Sequence, residues 1–365
     1  MTNRPSNQEN RPPIRLLVVE DSPTVREFLV YLFASDQEIQ VIGTASNGEE
    51  ALAAVRQQQP DVITMDVNMP KMDGYAATRA IMELFPTPIV IVTDTALTDG
   101  ISTTLAALDA GALAAVKKPA GIGHPDHAST TRELVQTVKL MAEIKVVRRW
   151  TRHGAQAKTV NEVILTAMPP CVVSLPHDIR LVAIGTSTGG PLVLQQIFSA
   201  LPRDLSVPVI VVQHIAQGFT DGLVEWLSES TGFPIRAAAS GEAMLPGRAY
   251  IVPTGYQAAV NSSGRIALIA NNAENGHCPS VSYLFRSVAA AYGARAIGIL
   301  LTGMGKDGAV ELGLMKTQGA ITIAQDKESS VVHGMPGEAI SLGAASYVLA
   351  PDKIAAVLAN LAMHK

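Results

Sequence analysis

From Ile14 to Pro119 short apolar runs alternate with stretches in which apolar residues recur every three or four positions. The runs IRLLVV, QVIGTA, DVITMD, PIVIV and LAAVKKP read as strands, and the amphipathic stretches between them as helices. Such alternation predicts a doubly wound parallel sheet covered by helices on both faces. The first helix should begin at Ser22–Pro23, a capping residue followed by Pro at the first helical position, and the third at Asp73–Gly74. A second alternating block runs from Arg180 to the end, with RLVAIG, SVPVIVVQ, AYIVP, ARAIGILLTG and GAITIAQ as strands. It predicts a second α/β domain with a mostly parallel sheet. Shorter pieces around Ile235, Gln257 and Ile266, with turn signals at Gly255 and Ser263–Gly264, predict an antiparallel hairpin appended to that sheet.

Between the blocks the pattern changes. Gly121 to Ala128 is rich in Gly, Pro and His, Thr130 to Trp150 has helical periodicity, and Thr151 to Asp178 has no sustained period. The organisation that follows is a disordered tail over 1–13, one domain over 14–128, a linker with a helix over 129–179 and a second domain over 180–365. The linker carries Lys139, Lys145, Arg148, Arg149, Arg152 and Lys158 against Glu143 alone, a short charge run that reads as a solvated face. The total of 365 residues suits two domains.

Composition narrows the function. Apolar residues make up 47% against 16% charged and 4% aromatic, which excludes disorder, collagen and coiled coil as overall descriptions. The formal charge of −4 provides no global basic field, so nucleic acid is not expected as a partner. Cys171 and Cys278 have no neighbours at metal-ligand spacing and form no disulfide framework. The polar start, Met1 to Pro13, lacks the apolar core of a signal peptide, and no apolar run is long enough for a membrane span. A cytoplasmic protein without membrane insertion is expected.

Parallel α/β sheets place their functional groups beyond the carboxyl ends of the strands. The first strand ends in Glu20–Asp21 and the third in Asp66, so three carboxylates should converge where their repulsion is tolerable only with a bound cation. Oxygen-only ligation favours Mg²⁺. The hydroxyl of Thr93 ends the fourth strand and Lys118 the fifth, aimed at the same rim. Together these groups can accept a phosphoryl group on a carboxylate and neutralise its oxygens.

In the second block a strand runs into Gly185-Thr186-Ser187-Thr188-Gly189-Gly190-Pro191 and then a helix. A tight Gly-flanked turn there exposes Ser187 as in a nucleophile elbow; a phosphate-cradling loop is the competing use. A dinucleotide fingerprint fits poorly, because Ser187 stands where the second Gly belongs and the next strand ends in Gln213–His214 rather than an acid. His214 should lie beside Ser187 and act as its base. The segment Thr302-Gly303-Met304-Gly305-Lys306-Asp307-Gly308 again takes a strand into a Gly-rich turn. Asp307 there either orients the imidazole of His214 or caps the following helix, and the backbone N–H groups of Thr188 and Met304 are candidate oxyanion donors.

VVEDSP, MDVNMPKMDG, VTD and KKP, in this order over about residues 14–119, closely resemble a response-regulator receiver domain, which implies a flavodoxin-like fold. The resemblance implies Asp66 as phosphoacceptor, Asp21, Asp66 and the backbone carbonyl of Asn68 around Mg²⁺, and Thr93 and Lys118 as the switch pair. It also implies a histidine kinase as phosphodonor. Two residues depart from the pattern, Asp94 after Thr93 and Ala115 where an aromatic is usual. GTSTGGP, VVQHI, TGMGKDGA and VVHGMPGEAI resemble the catalytic domain of the chemotaxis receptor methylesterases, whose architecture includes a receiver. That resemblance implies hydrolysis of γ-glutamyl methyl esters on the cytoplasmic helices of chemoreceptors, deamidation of receptor glutamines, and no cofactor for the ester step. Gln257, Cys278, Ser282 and Gly337 differ from the residues common in that family and read as lining the substrate groove, away from the triad. The simplest control has the unphosphorylated receiver covering the Ser187 cleft. Rival readings are a receiver-controlled adaptor without hydrolysis, favoured only if the triad were broken, and an esterase or amidase serving another signalling system.

Overall fold

Ile14–Val19 (β1) opens the first sheet of the computed structural model, which describes residues 12–93, 107, 110–144, 178–215, 219–270, 273–274 and 276–362. These divide into two units. In the first, β1, Ile39–Ala45 (β2), Val62–Met65 (β3), Ile89–Thr93 (β4) and Ala114–Lys117 (β5) form one sheet in the order β2-β1-β3-β4-β5. Every pairing is parallel. The order reverses between β1 and β3, so the segments after these two strands, Glu20–Asp21 and Asp66, open onto one crevice.

The intervening helices follow their local signals. Pro23–Ala34 (α1) starts on its Pro, although the Ser22 hydroxyl makes no capping bond. Gly48–Gln58 (α2) is capped by Asn47, whose Oδ1 accepts from the backbone N–H groups of Glu49 and Glu50. Gly74–Leu84 (α3) is capped by Asp73, which accepts from Ala76 N at 2.7 Å.

One assignment needs correcting. The helical periodicity after Thr130 was expected in the linker, but His127–Ala142 (α4) packs against β3, β4 and β5 and completes the first unit. Leu134, Val138 and Met141 recur at helical spacing and are fully buried. An apolar stripe of this kind needs a sheet to cover it, at about 1.5–3 kcal/mol for each large side chain removed from water. The tail before residue 12, Asp94, Cys171 and the linker with its basic residues beyond position 144 lie outside the described residues.

The second unit is built around Leu181–Thr186 (β6), buried at all six positions. Gly190–Ala200 (α5), Val209–Gln213 (β7), Thr220–Thr231 (α6), Ile235–Ala237 (β8) and Ala249–Ile251 (β9) follow. Ala296–Leu300 (β12), Ile321–Gln325 (β13) and Tyr347–Leu349 (β14) complete a seven-stranded sheet in the order β14-β13-β12-β6-β7-β9-β8, parallel throughout. The piece around Ile235 is an edge strand of this sheet. The hairpin is Gln257–Val260 (β10) with Ile266–Ile269 (β11), a separate two-stranded antiparallel sheet covered by Val281–Tyr292 (α7). Ala309–Thr317 (α8), Met335–Ser341 (α9) and Pro351–Ala359 (α10) are the remaining helices named here. The order reverses again at β6, with β12 on one side and β7 on the other.

Candidate active site

The Ser187 turn and the His214–Asp307 pair lie at that second reversal. Thr186 pairs with Gln213 in the register of β6 and β7, so Ser187 and His214 leave neighbouring strands side by side. The His214 N–H donates to Thr186 O at 2.9 Å and the Ser187 N–H to Thr302 O at 3.0 Å, which ties the turn to the β12 side as well. Gln213, 2% exposed, donates from Nε2 to both Ser187 O and His214 O at 2.8 Å. After Ser187, Gly189 adopts φ +80° to start α5, a conformation that favours glycine. Gly303 approaches so closely that a Cβ there would lie 2.7 Å from the Ser187 Cβ, so the turn bearing Met304 can close on the serine only as glycine. Met304 follows at 38% exposure.

Asp307 does not cap the helix that follows it, since α8 has Gly308 as its cap residue and no side-chain capping bond. Its carboxylate is received elsewhere. Oδ2 accepts from His214 Nε2 at 2.9 Å and from Val281 N at 2.7 Å. Oδ1 accepts from Ser280 Oγ at 2.9 Å and Ser282 N at 3.1 Å. These donors are the start of α7, whose dipole also favours an anion. Burial alone would raise the Asp307 pKa, but hydrogen bonds from His214 and Ser282, the His214 charge and the Val281 N–H hold it well below the usual carboxylate range. An ionised carboxylate only accepts, so Nε2 of His214 carries the hydrogen and Nδ1 holds the lone pair. Among the described residues Nδ1 is buried and makes no hydrogen bond, so the Ser187 hydroxyl is not yet bonded to it; such contacts commonly tighten only when substrate binds.

In the first unit the carboxylate oxygens of Glu20, Asp21 and Asp66 lie within 4.8 Å of one another. They line a cleft of about 300 Å³ with Ser22, Val25, Asn68 and Lys118. Lys118 Nζ reaches Glu20 Oε2 at 2.8 Å and Asp66 Oδ1 at 3.4 Å. Its own N–H donates to Thr93 O at 3.0 Å, and Thr93 is buried beside it. Burial pushes the carboxyl of Glu20 up, against the pull of Lys118, and Asp66 repulsion adds to the rise. Asp66 is likewise raised by burial, which outweighs the attraction of Lys118. Three carboxylates facing one ammonium, all oxygen donors, fit a hard divalent cation such as Mg²⁺.

A family model described as CheB methylesterase matches residues 182–358 and one described as response regulator receiver domain matches residues 16–124. A protein-glutamate methylesterase/protein-glutamine glutaminase of Nitrosospira multiformis is 53% identical over 355 residues, covering 96% of this chain and 98% of that protein. The chain belongs to this family. A relative of the same description from Syntrophus aciditrophicus is 51% identical over 96% of this chain and 98% of its own length. The solved catalytic domain of Thermotoga maritima CheB methylesterase is 36% identical, with TM-score 0.49, covering 50% of this chain and 98% of that one.

The residues that depart from the family pattern do not all line a groove. Ser282 donates its N–H to Asp307, accepts from Gly308 N at 2.9 Å through Oγ and donates to Glu311 at 2.7 Å, so it does touch the triad. Gln257 is fully buried, donating from Nε2 to His277 O at 3.0 Å and accepting from Ser280 N at 2.8 Å. Gly337 leaves room for the His333 ring, whose Cδ2 would lie 2.9 Å from a Cβ there. Sequence reasoning missed Gln213, Ser280 and His277. Pro279–Ser280 does announce the start of α7, whose free N–H groups are the natural seat for a carboxylate.

Proposed function

We propose that this chain hydrolyses γ-glutamyl methyl esters on the cytoplasmic helices of chemoreceptors, and deamidates receptor glutamines, under control of a phosphoryl group on Asp66. In this reading residues 14–144 act as the receiver and residues 180–365 as the esterase, working in the cytoplasm. Among the described residues no helix is long and apolar enough to cross a membrane.

The observation that carries the reading is the His214–Asp307 pair, 2.9 Å apart, beside the Ser187 turn. Ser187 Oγ attacks the ester carbonyl while His214 Nδ1 takes its proton. The imidazolium so formed faces the Asp307 carboxylate, held anionic by α7. The N–H groups of Thr188 and Met304 receive the oxyanion. Collapse expels methanol, which takes the proton from His214, and water then releases glutamate from Ser187 by the same steps in reverse roles. With glutamine as substrate, ammonia leaves instead.

In the receiver, Glu20, Asp21, Asp66 and the Asn68 carbonyl would hold Mg²⁺, which supplies positive charge to the oxygens of a phosphoryl group on Asp66. Lys118 and Thr93 stand at the same rim, an ammonium to pair with the new anion and a hydroxyl to donate to it. The phosphodonor is a histidine kinase. The test is methanol release from methylated receptor membranes by the purified chain, with and without a small phosphodonor and Mg²⁺. Release that rises with phosphodonor supports the reading, and no release under either condition contradicts it.

A further inference from the structure

The imidazoles of His214 and His277 lie face to face, with ring centroids 3.9 Å apart and planes within 2° of parallel. His277 belongs to no catalytic strand. It closes a turn with Glu274, the two residues exchanging backbone hydrogen bonds of 2.9 Å. Gln257, fully buried on β10, then pins both ends of the next few residues by bonding His277 O and Ser280 N with one amide. A ring carried on backbone fastened in this way is held in place rather than free to swing.

His214 needs such a neighbour. Its Nε2 is tied to Asp307, but one hydrogen bond leaves the ring free to tilt, and each tilt moves Nδ1 relative to the Ser187 hydroxyl. A flat side chain at van der Waals distance blocks that tilt on one face and keeps water from it. Among the described residues the charged and titratable groups facing His277 are His214, just past β7, and Asp307 from the turn after β12. On its own segment lie Glu274, which is paired with Arg286 at 2.6 Å, and the half-buried Cys278. Burial and the His214 charge lower the His277 pKa against the pull of Asp307.

We propose that His277 is a positioning residue for ester hydrolysis, its ring face fixing the plane of His214 so that Nδ1 meets the Ser187 hydroxyl. This rests on the reading of Ser187, His214 and Asp307 as the hydrolytic triad. It requires no proton transfer through His277.

The test uses the full chain with phosphodonor and Mg²⁺ on methylated receptor membranes, in His277→Ala, His277→Phe and His214→Ala variants. Misplacing a catalytic group by about 1 Å can cost about 100-fold, so His277→Ala should lower kcat by roughly 10- to 100-fold while KM changes less than about twofold. His277→Phe restores a flat ring without a proton and should keep kcat within about fivefold of the parent. The acid limb of its pH–rate profile should coincide with the parent's. Unchanged kcat in a folded His277→Ala variant, or a Phe variant more than about fivefold impaired, overturns the proposal. If the Ala variant fails to fold, the Phe variant decides alone by the same limit. An inactive His214→Ala beside a fully active His277→Ala removes only the positioning role, whereas hydrolysis surviving His214→Ala overturns the triad reading and this proposal with it.

Discussion

Asp66 and Asp307 occupy comparable places, in crevices where the strand order of a parallel sheet reverses, and are 5% and 4% exposed. Burial nonetheless has opposite outcomes in the two units. Asp307 is surrounded by His214, Ser280 Oγ and the N–H groups of Val281 and Ser282, and its pKa lies well below the carboxylate range. Asp66 and Glu20 share the ammonium of Lys118, and both are pushed up. The difference is one of satisfied against unsatisfied charge. On the proposed mechanism Asp307 stays anionic to face an imidazolium, and the fold gives it the donors for that. The acidic cluster is left short of positive charge, which on the proposed reading a bound cation would supply.

The sharpest way to break this comparison is at the serine site. Ser187→Ala should cost on the order of 10⁴–10⁶ in methanol release while the circular dichroism spectrum is retained. Asp307→Asn comes next, with an expected loss of about 10⁴ in kcat, because an amide can offer Nε2 of His214 a donor and so invert the tautomer. Asp307→Asn should also lower stability, since the N–H groups at the start of α7 lose a charged acceptor, at about 1.5–3 kcal/mol for a charge-assisted bond. Thermal unfolding checks this.

The acidic site is broken differently. Asp66→Asn should abolish Mg²⁺-dependent labelling by a small phosphodonor and with it any phosphodonor-dependent rise in methanol release, leaving basal hydrolysis in place. Labelling at parental stoichiometry would move the phosphoacceptor elsewhere. The smallest effect sharpens the contrast by pH. The folded pKa of Asp307 lies below its unfolded value of about 3.9, so its contribution to stability is complete above that value and is lost as pH falls through the folded pKa. Glu20 and Asp66 have folded pKa values above the unfolded ones of about 4.3 and 3.9, so the stability tied to their protons is full below these values and declines as pH rises through the folded pKa. Mg²⁺ at 100 times its Kd should therefore protect β3 against amide exchange by about 2.7 kcal/mol at neutral pH, less near pH 4, and should leave β12 unchanged. Equal protection of β12 would contradict the assignment of the cation to the first unit.

Much of this was legible in the chain. The short apolar runs give the strands of both sheets and the 3.6 period the helices between them, and strand ends carrying Glu20, Asp21, Asp66, Ser187 and His214 point to their crevices because parallel topology puts strand ends together. What stayed hidden depended on partners distant in sequence. Leu134, Val138 and Met141 show that a helix has an apolar stripe, but not that β3, β4 and β5 will cover it. Asp307 looked equally suited to capping α8, and only the approach of α7, 26 residues earlier at Val281, decides otherwise. Gln257, Ser282 and His277 have no periodic signature, and their meaning comes from buried hydrogen bonds and one ring contact.

The central claim, that Ser187 is the hydrolytic nucleophile of a phosphorylation-controlled esterase, is tested most directly by covalent trapping. The full chain, treated with a serine-reactive organophosphonate in the presence of phosphodonor and Mg²⁺, would be mapped by peptide mass spectrometry while methanol release is followed on the same sample. The account predicts one adduct at Ser187, appearing in step with the loss of hydrolysis and absent from Ser187→Ala and His214→Ala. Full hydrolysis by protein quantitatively modified at Ser187, or inactivation that tracks an adduct at another residue, would contradict it.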